Sequence, residues 1–314
     1  QTYENIEIVV VDDASKDDTV AVVRKYQEKS KKIKLFVNER NLGASKNFLK
    51  TFTVANGYFV QHLGQDDWLP ENHIAEKVAA INQYPHAAFV ASCIASYKTN
   101  HAGKVVYGGK VCKKQGIYTL ASVIKKFYKE PGLLGFFCMM RKEDAVAQYM
   151  TTIPNTHGYE AYYEKAMVID NLLLLRILSL PRYKGQYVYT TSTEYDTLSH
   201  PEHFSKDYGW IRANNIADRI KFAHIDRVGY EFFYKTQPRI YKFRYRVYMG
   251  YNVIGNMIFE KIKGTGEGSP RDAIRMFFKG YSWGEGCAVL IGLVPHLIGR
   301  TVKWGVQKIK NTVQ

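Results

Sequence analysis

The chain has 314 residues, enough for one large domain or two modest ones. Apolar residues make up 46% and charged residues 23%, which excludes a disordered tail, a collagen-like fibre and a small disulfide scaffold. Lys and Arg outnumber Asp and Glu by 44 to 29, and the resulting +15 calls for an anionic partner: nucleic acid, a phosphate-bearing ligand or a negatively charged membrane surface.

The first part of the chain alternates strand and helix. Residues 6–11, IEIVVV, form a short β-branched run bounded by turn residues, which predicts a strand. Asp12-Asp13-Ala14-Ser15 turns the chain into a helix over 17–30, acidic at its start. A strand over 33–37, a helix over 43–56 and a strand over 58–63 follow. Gly64-Gln65-Asp66-Asp67 comes directly after that strand, then a helix over 72–83 and a strand over 87–92. Strands separated by helices predict a largely parallel sheet with helices on its faces. In such sheets ligands bind beyond the carboxyl ends of the strands.

Two acidic pairs stand at those ends, Asp12/Asp13 and Asp66/Asp67. Asp is also common just before helices, so capping is an alternative use for both pairs. Adjacent carboxylates repel, and Trp68, expected to be buried, follows the second pair; this pair asks for a counter-cation. Oxygen-only ligation suits Mg²⁺ or Mn²⁺ shared with substrate phosphates. Cys93, Cys112, Cys138 and Cys287 are widely spaced with no CxxC pair, which argues against zinc and predicts unpaired thiols in a reducing compartment.

With these residues in view, QTYENIEIVVVDDASKDDT resembles the early part of family 2 glycosyltransferases. The likeness continues through Asn38-Glu-Arg-Asn41-Leu-Gly43, Asn47 and Ala55-Asn-Gly57-Tyr-Phe. GQDDWLP, residues 64–70, resembles the family's metal-binding acidic motif. Later, Val168-Ile169-Asp170-Asn171-Leu172 with Arg176 is similar to the E-D-x-x-L-x-x-R segment, with Ile169 in place of Glu. Tyr195-x₄-His200 is similar to the Y…H segment that closes the catalytic domain, and residues 136–141 to the strand and loop on the acceptor side. The resemblance covers about residues 1–200. It implies a GT-A fold: a Rossmann-like, mixed and mostly parallel sheet flanked by helices. It also implies that the family's first strand and helix, which precede the Gln-Thr-Tyr, are missing here, and that this chain alone would be unstable or poorly active.

The resemblance implies roles for individual residues. Asp13 would accept a hydrogen bond from the base N–H of uridine or thymidine. Asp66 would face the ribose, and Asp67 would hold the divalent cation, a Lewis acid bridging the two phosphates. Asp170 would be the general base that takes the acceptor hydroxyl proton, desolvated by Leu172, Leu173 and Leu175; helix capping is the alternative use. His200 would complete the metal shell or touch the diphosphate, and Lys46 would either meet the donor phosphates or stand as a solvated helix lysine. Direct displacement with one base implies inversion at the sugar carbon. The processive Q-x-x-R-W segment is absent, so one sugar per encounter is expected. A two-carboxylate hydrolase needs neither nucleotide nor metal and fits the strand-end pairs less well.

The charge is concentrated late. Residues 1–200 hold 25 basic and 20 acidic side chains, residues 201–314 hold 19 and 9, and a domain boundary is placed near 200. The last third is read as a basic, mainly helical extension. KTQPRIYKFRYRVYM, residues 235–249, interleaves cations with aromatics, as nucleic-acid binders and membrane-surface segments both do. No segment reaches the roughly 18 apolar residues of a membrane span. Residues 288–298 are apolar, and Arg300, Lys303, Lys308 and Lys310 follow, as in a helix lying in a membrane interface; residues 264–269 read as a glycine-rich hinge before it.

The expected partners are therefore a nucleotide-sugar, most simply a UDP-sugar, and a glycan or polyprenyl-linked acceptor. Peripheral membrane contact is expected at the inner face of the cell membrane, in cell-surface polysaccharide synthesis, and no nucleic acid. The alternative is a non-catalytic protein of this fold that binds membranes or polyanions.

Overall fold

The structure is a computed structural model that describes residues 1–99, 104–127, 138–152, 169–199, 239–263 and 271–312. The chain divides into two compact units, residues 1–123 with 131–209 and residues 124–130 with 210–314, against an expected boundary near 200.

The first unit carries eight described strands. β1 (Ile8–Asp12) and β2 (Ile33–Val37) pair in parallel, joined by helix α1 (Thr19–Lys29). Helix α2 (Ala44–Val54) follows, then β3 (Phe59–Gln61), α3 (His73–Gln83) and β4 (Ala87–Thr99). Next come β5 (Val105–Val111), β6 (Gly116–Thr119), α4 (Leu120–Phe127), whose residues from Ile124 on belong to the second unit, β7 (Met139–Arg141), α5 (Lys142–Thr152), α6 (Ile169–Leu178) and β8 (Gln186–Ser199). The second sheet runs β3-β7-β4-β8-β6, with β5 paired to the far half of β4. Of the six pairings only β1–β2 and β4–β8 are parallel. The sheet is mixed, with a smaller parallel share than "mostly parallel" implied. The reason is local: β5, β6 and β7 are short strands that return as antiparallel partners of β4 and β8.

β4 is the spine of this unit. Its first seven residues, AAFVASC, are all buried, the pattern of a strand covered on both faces. Ala80 and Ile81 of α3 close on Ala87, Val90, Met139 and Val188. Phe48 and Phe52 of α2 meet Tyr149 of α5 at 5.8 and 6.4 Å between ring centres. Leu173, Leu174 and Ile177 of α6 are fully buried. The segment before β3 is tied to β1 through one carboxylate: Glu7 accepts the Gly57 N–H at 3.1 Å and the Asn56 N–H, and pairs with Lys34 at 2.7 Å. Burial alone would raise its pKa, but these donors hold it down at about 2.

Two expectations need correction here. Cys93, wholly buried in β4, is disulfide-bonded to Cys112 just beyond β5, with Cα atoms 4.5 Å apart, so these two cysteines are not free thiols. Antiparallel pairing of β4 with β5 brings together residues 19 apart in sequence, which spacing alone does not show. Trp68 is 38% exposed rather than buried, because its backbone bridges to Asp196 at the sheet margin while its ring stays outside the core.

The second unit is helical in its described residues: α7 (Arg239–Lys263), α8 (Arg271–Phe278) and α9 (Trp283–Thr312). α7 packs on α9, and a Cβ on Gly250 would lie 2.5 Å from Val289, so the two backbones approach closely there. Arg246 pairs with the buried Glu285 at 3.1 Å. α9 runs through Pro295 without ending there. Among the described residues no helix is long and apolar enough to cross a membrane. The expected hinge at 264–269 lies outside them.

Candidate functional site

Two clusters form where β1 and β3 end. At the end of β1, Asp12 is buried and its carboxylate accepts the Ser15 N–H at 3.1 Å, which closes the turn; Ala14 takes a left-handed φ of 59° inside it. Asp13 turns the other way. Its Oδ1 accepts from the Leu42 N–H at 2.7 Å and from Asn38 Nδ2 at 2.8 Å, and its Oδ2 accepts from the Gly43 N–H at 2.9 Å. Gly43, at φ 82°, is a backbone position that favours glycine, and it starts α2. Asn38 also donates to Asn47 Oδ1 at 2.9 Å and accepts from Lys50 at 2.6 Å, while Asn47 Nδ2 donates to the Val11 carbonyl at 3.1 Å.

The Asn38…Gly43 and Asn47 segments are thus the scaffold that holds Asp13. A carboxylate offers about four acceptor positions. Among the described residues three donors reach them. Lys46 is exposed on α2.

At the end of β3 the chain reverses through Gly64. A Cβ there would stand 2.5 Å from Asp67 Oδ2 and 3.1 Å from Asp66 Oδ1. Both carboxylates therefore fold back over one Cα, and a Cβ at this position would push the Asp67 carboxylate out of this arrangement. The Tyr195 hydroxyl on β8 accepts the Gly64 N–H at 2.9 Å and donates to Asp67 Oδ2 at 3.1 Å. Tyr195 is fully buried, which raises its pKa and keeps it a neutral donor. Trp68 is locked to Asp196 by two backbone bonds of 3.1 Å. One strand therefore fixes the loop on both sides of Asp67. Phe48 of α2 packs on His62 at 4.7 Å between ring centres, which connects the helix beside Asp13 to the residues just before Gly64. Burial pushes His62 down to about 4, so it is neutral at pH 7.

Behind the loop lies a buried polar layer. His73 contacts Thr193 Oγ1 at 3.2 Å, Thr193 also donates to Glu76, and the buried Lys77 bonds Thr190. Burial pushes His73 to about 4 and Lys77 to about 8.

Among the described residues no three His, Cys, Asp or Glu side chains converge as a metal cluster. The paired carboxylates over Gly64 still suit a hard divalent cation, which takes one or two carboxylates and completes its shell with water and phosphate oxygens. Asp170 is the second residue of α6, and the buried Leu173 and Leu175 follow it. His200 lies outside the described residues. Asp13, Asp66 and Asp67 are thus held in formed loops.

Residues 1–146 match the sequence profile of Glycosyl transferase family 2. These residues form a family 2 glycosyltransferase domain. Within it, 84 residues are 31% identical to the glycosyltransferase GlyA of Streptococcus pneumoniae serotype 4, covering 27% of this chain and 12% of that protein. A stretch of 88 residues is 34% identical to the GalNAc(5)-diNAcBac-PP-undecaprenol beta-1,3-glucosyltransferase of Campylobacter jejuni, covering 27% and 28%. The chain thus spans less than a third of the length of these two relatives. The crystal structure of S. aureus TarS residues 1–349 with UDP-GlcNAc aligns over 88% of this chain and 84% of that one, with a TM-score of 0.50 and 16% identity; it shares the GT-A fold.

Sequence alone gives Asn38 and Asn47 no role beyond motif positions, and Tyr195 none beyond the closing segment; the β4–β8 register brings its hydroxyl to Asp67.

Proposed function

We propose that this protein transfers a sugar from a nucleotide-sugar, in the first instance a UDP-sugar, to a glycan or polyprenyl-linked acceptor, with inversion, during cell-surface polysaccharide synthesis. The observation that carries the reading is the Asp66/Asp67 pair closed over Gly64 and clamped by Tyr195, within a family 2 domain. The TarS chain of the same fold was crystallised with UDP-GlcNAc, and the Campylobacter relative is named for glucosyl transfer to an undecaprenol-linked glycan.

Asp13 would accept the base N–H. Asp66 would face the ribose and Asp67 the cation, Mg²⁺ or Mn²⁺, with His200 as a further ligand and Lys46 toward the phosphates. When bound, the cation neutralises the charge that grows on the departing diphosphate. Asp170 would accept the proton of the attacking hydroxyl; its position at the start of a helix that continues into the buried Leu173 and Leu175 supports this reading.

α9 supports a membrane-surface partner. Trp283, Leu290, Ile291, Val294 and Ile298 are 60–88% exposed. At 100° per residue they fall within an arc of about 100°, a single apolar stripe. Basic residues Arg300, Lys303, Lys308 and Lys310 follow in sequence, as a helix lying on anionic lipid at the inner membrane face requires.

The test is a panel of nucleotide-sugars with Mn²⁺ or Mg²⁺, scored by nucleotide release with the acceptor supplied as a lipid extract. Asp170→Asn is expected to abolish turnover and leave donor binding nearly intact. Release by no donor, or full turnover by the Asp170→Asn chain, would overturn the assignment.

A further inference from the structure

The loop that carries the acidic pair also presents an aromatic face that the proposed donor chemistry does not use. Trp68 directly follows Asp67 and is 38% exposed. Its ring lies 4.8 Å from Tyr97 of β4, and Tyr97 lies 5.7 Å from Tyr107 of β5, which is 59% exposed. The three rings form a continuous run from the acidic loop across two paired strands. They are not a loose surface cluster. Trp68 is held by its two backbone bonds to Asp196, and Tyr97 and Tyr107 face each other in the β4–β5 register. Carboxylates border the run. Asp196 is 6% exposed, and Glu194, paired with Lys110, lies near enough to act on Tyr97 electrostatically.

Solvent-facing aromatic rings beside carboxylates are the surface that a pyranose recognises. One face of a sugar ring is a patch of C–H bonds, which rest on the electron-rich face of an aromatic ring. Its hydroxyls, at the ring edge, donate to carboxylates. A lipid chain would not need the carboxylates, and a phosphate would be repelled by them.

We infer that Trp68, Tyr97 and Tyr107 form a sugar-stacking subsite for the acceptor, with the partly exposed Glu194 serving the hydroxyls at its border. The subsite begins one residue from Asp67, so a glycan lying on it would present its end to the donor loop. This placement rests on the sugar-transfer reading, whereas the stacking itself does not.

The experiment uses the full chain and a panel of methyl glycopyranosides (α- and β-glucoside, galactoside and N-acetylglucosaminide), observed by saturation-transfer NMR. UDP binding with Mn²⁺ is measured in parallel. At least one glycoside is expected to take up saturation at the ring C–H protons of one face. Its signal is expected to fall about fivefold in Trp68→Ala and in Tyr107→Ala, and to persist in Trp68→Phe. Tyr107 is exposed on an edge strand, so its replacement leaves the fold intact and UDP binding unchanged. Asp67→Ala is expected to lose Mn²⁺-dependent UDP binding and keep the glycoside signal. The subsite is refuted if no glycoside takes up saturation, if the signal is the same in the Trp68→Ala/Tyr107→Ala double variant, or if Tyr107→Ala abolishes only a self-association of the chain. Glycoside binding without any UDP binding would refute the sugar-transfer reading and leave the subsite standing.

Discussion

Replacing Tyr195 by Phe isolates the clamp on the acidic loop. The ring of Tyr195 is fully buried and Phe fills the same space, so no cavity opens beyond the lost oxygen. Two hydrogen bonds disappear: the donor to Asp67 Oδ2 and the acceptor for the Gly64 N–H. An unpaired buried N–H costs about 1–3 kcal/mol, and a hydrogen bond to a charged group is worth about 1.5–3 kcal/mol. Because the loop can relax toward water, the combined loss of stability is expected at the low end, about 2 kcal/mol.

The functional effect should be larger than the stability effect suggests. Outer partners that orient a metal-ligating group typically change metal affinity by about 10–100-fold. Without Tyr195, Asp67 loses the hydroxyl that orients its Oδ2 in the paired geometry over Gly64. The assay is Mn²⁺ binding by calorimetry with UDP present, beside urea unfolding of the metal-free chain. The expected result is weaker Mn²⁺ binding by about 10-fold or more, with UDP binding in the absence of metal unchanged. If Tyr195→Phe lowers stability but leaves Mn²⁺ affinity untouched, Tyr195 is a packing residue and the clamp argument fails.

Three further outcomes follow from the same structure. His73 is fully buried and its pKa is pushed from 6.5 to about 4 by burial and by Lys77. The unfolded chain therefore binds the extra proton first: the contribution is complete above pH 6.5 and is lost as pH falls toward 4, by about 3 kcal/mol. Urea melts at pH 4.5 and 7 should differ less in His73→Asn than in the unsubstituted chain. Reducing the Cys93–Cys112 bond, or replacing Cys112 by Ser, should lower stability by about 3 kcal/mol for a loop of this length, read as a shift in urea midpoint. Glu285→Gln removes the negative charge from a mostly buried ion pair with Arg246 and should destabilise the helical unit by about 3 kcal/mol, seen in α-helical circular dichroism on heating.

The local elements were legible because each carried a short-range signal. The β-branched run before Asp12 is a strand, and the residues from His73 onward form a helix, within two residues of the expected limits. The acidic pairs were legible because strand ends followed by Asp read as ligand positions in an α/β sheet. What could not be read depends on long-range register. Cys93 meets Cys112 only because β5 returns along β4. Trp68 stays outside the core only because its backbone pairs with Asp196, 128 residues later. The antiparallel strands are short, and nothing in their composition fixes which neighbour they join.

β8 shows why the site and the fold cannot be separated. Tyr195 reaches inward to Asp67, while the backbone of the next residue, Asp196, holds Trp68. Successive residues of a strand face opposite ways, and here one orients a carboxylate through its side chain while the other positions the aromatic ring through its backbone. A change in β4–β8 register by one residue would exchange these two faces and release both the acidic pair and the indole at once. The parallel β4–β8 ladder, with Cys93–Glu194, Ile94–Tyr195 and Ala95–Asp196 in register, is therefore the element on which the donor loop and the neighbouring aromatic face both depend. Cys93 and Ala95 are wholly buried on this ladder, so a one-residue slip would also turn them out of the core.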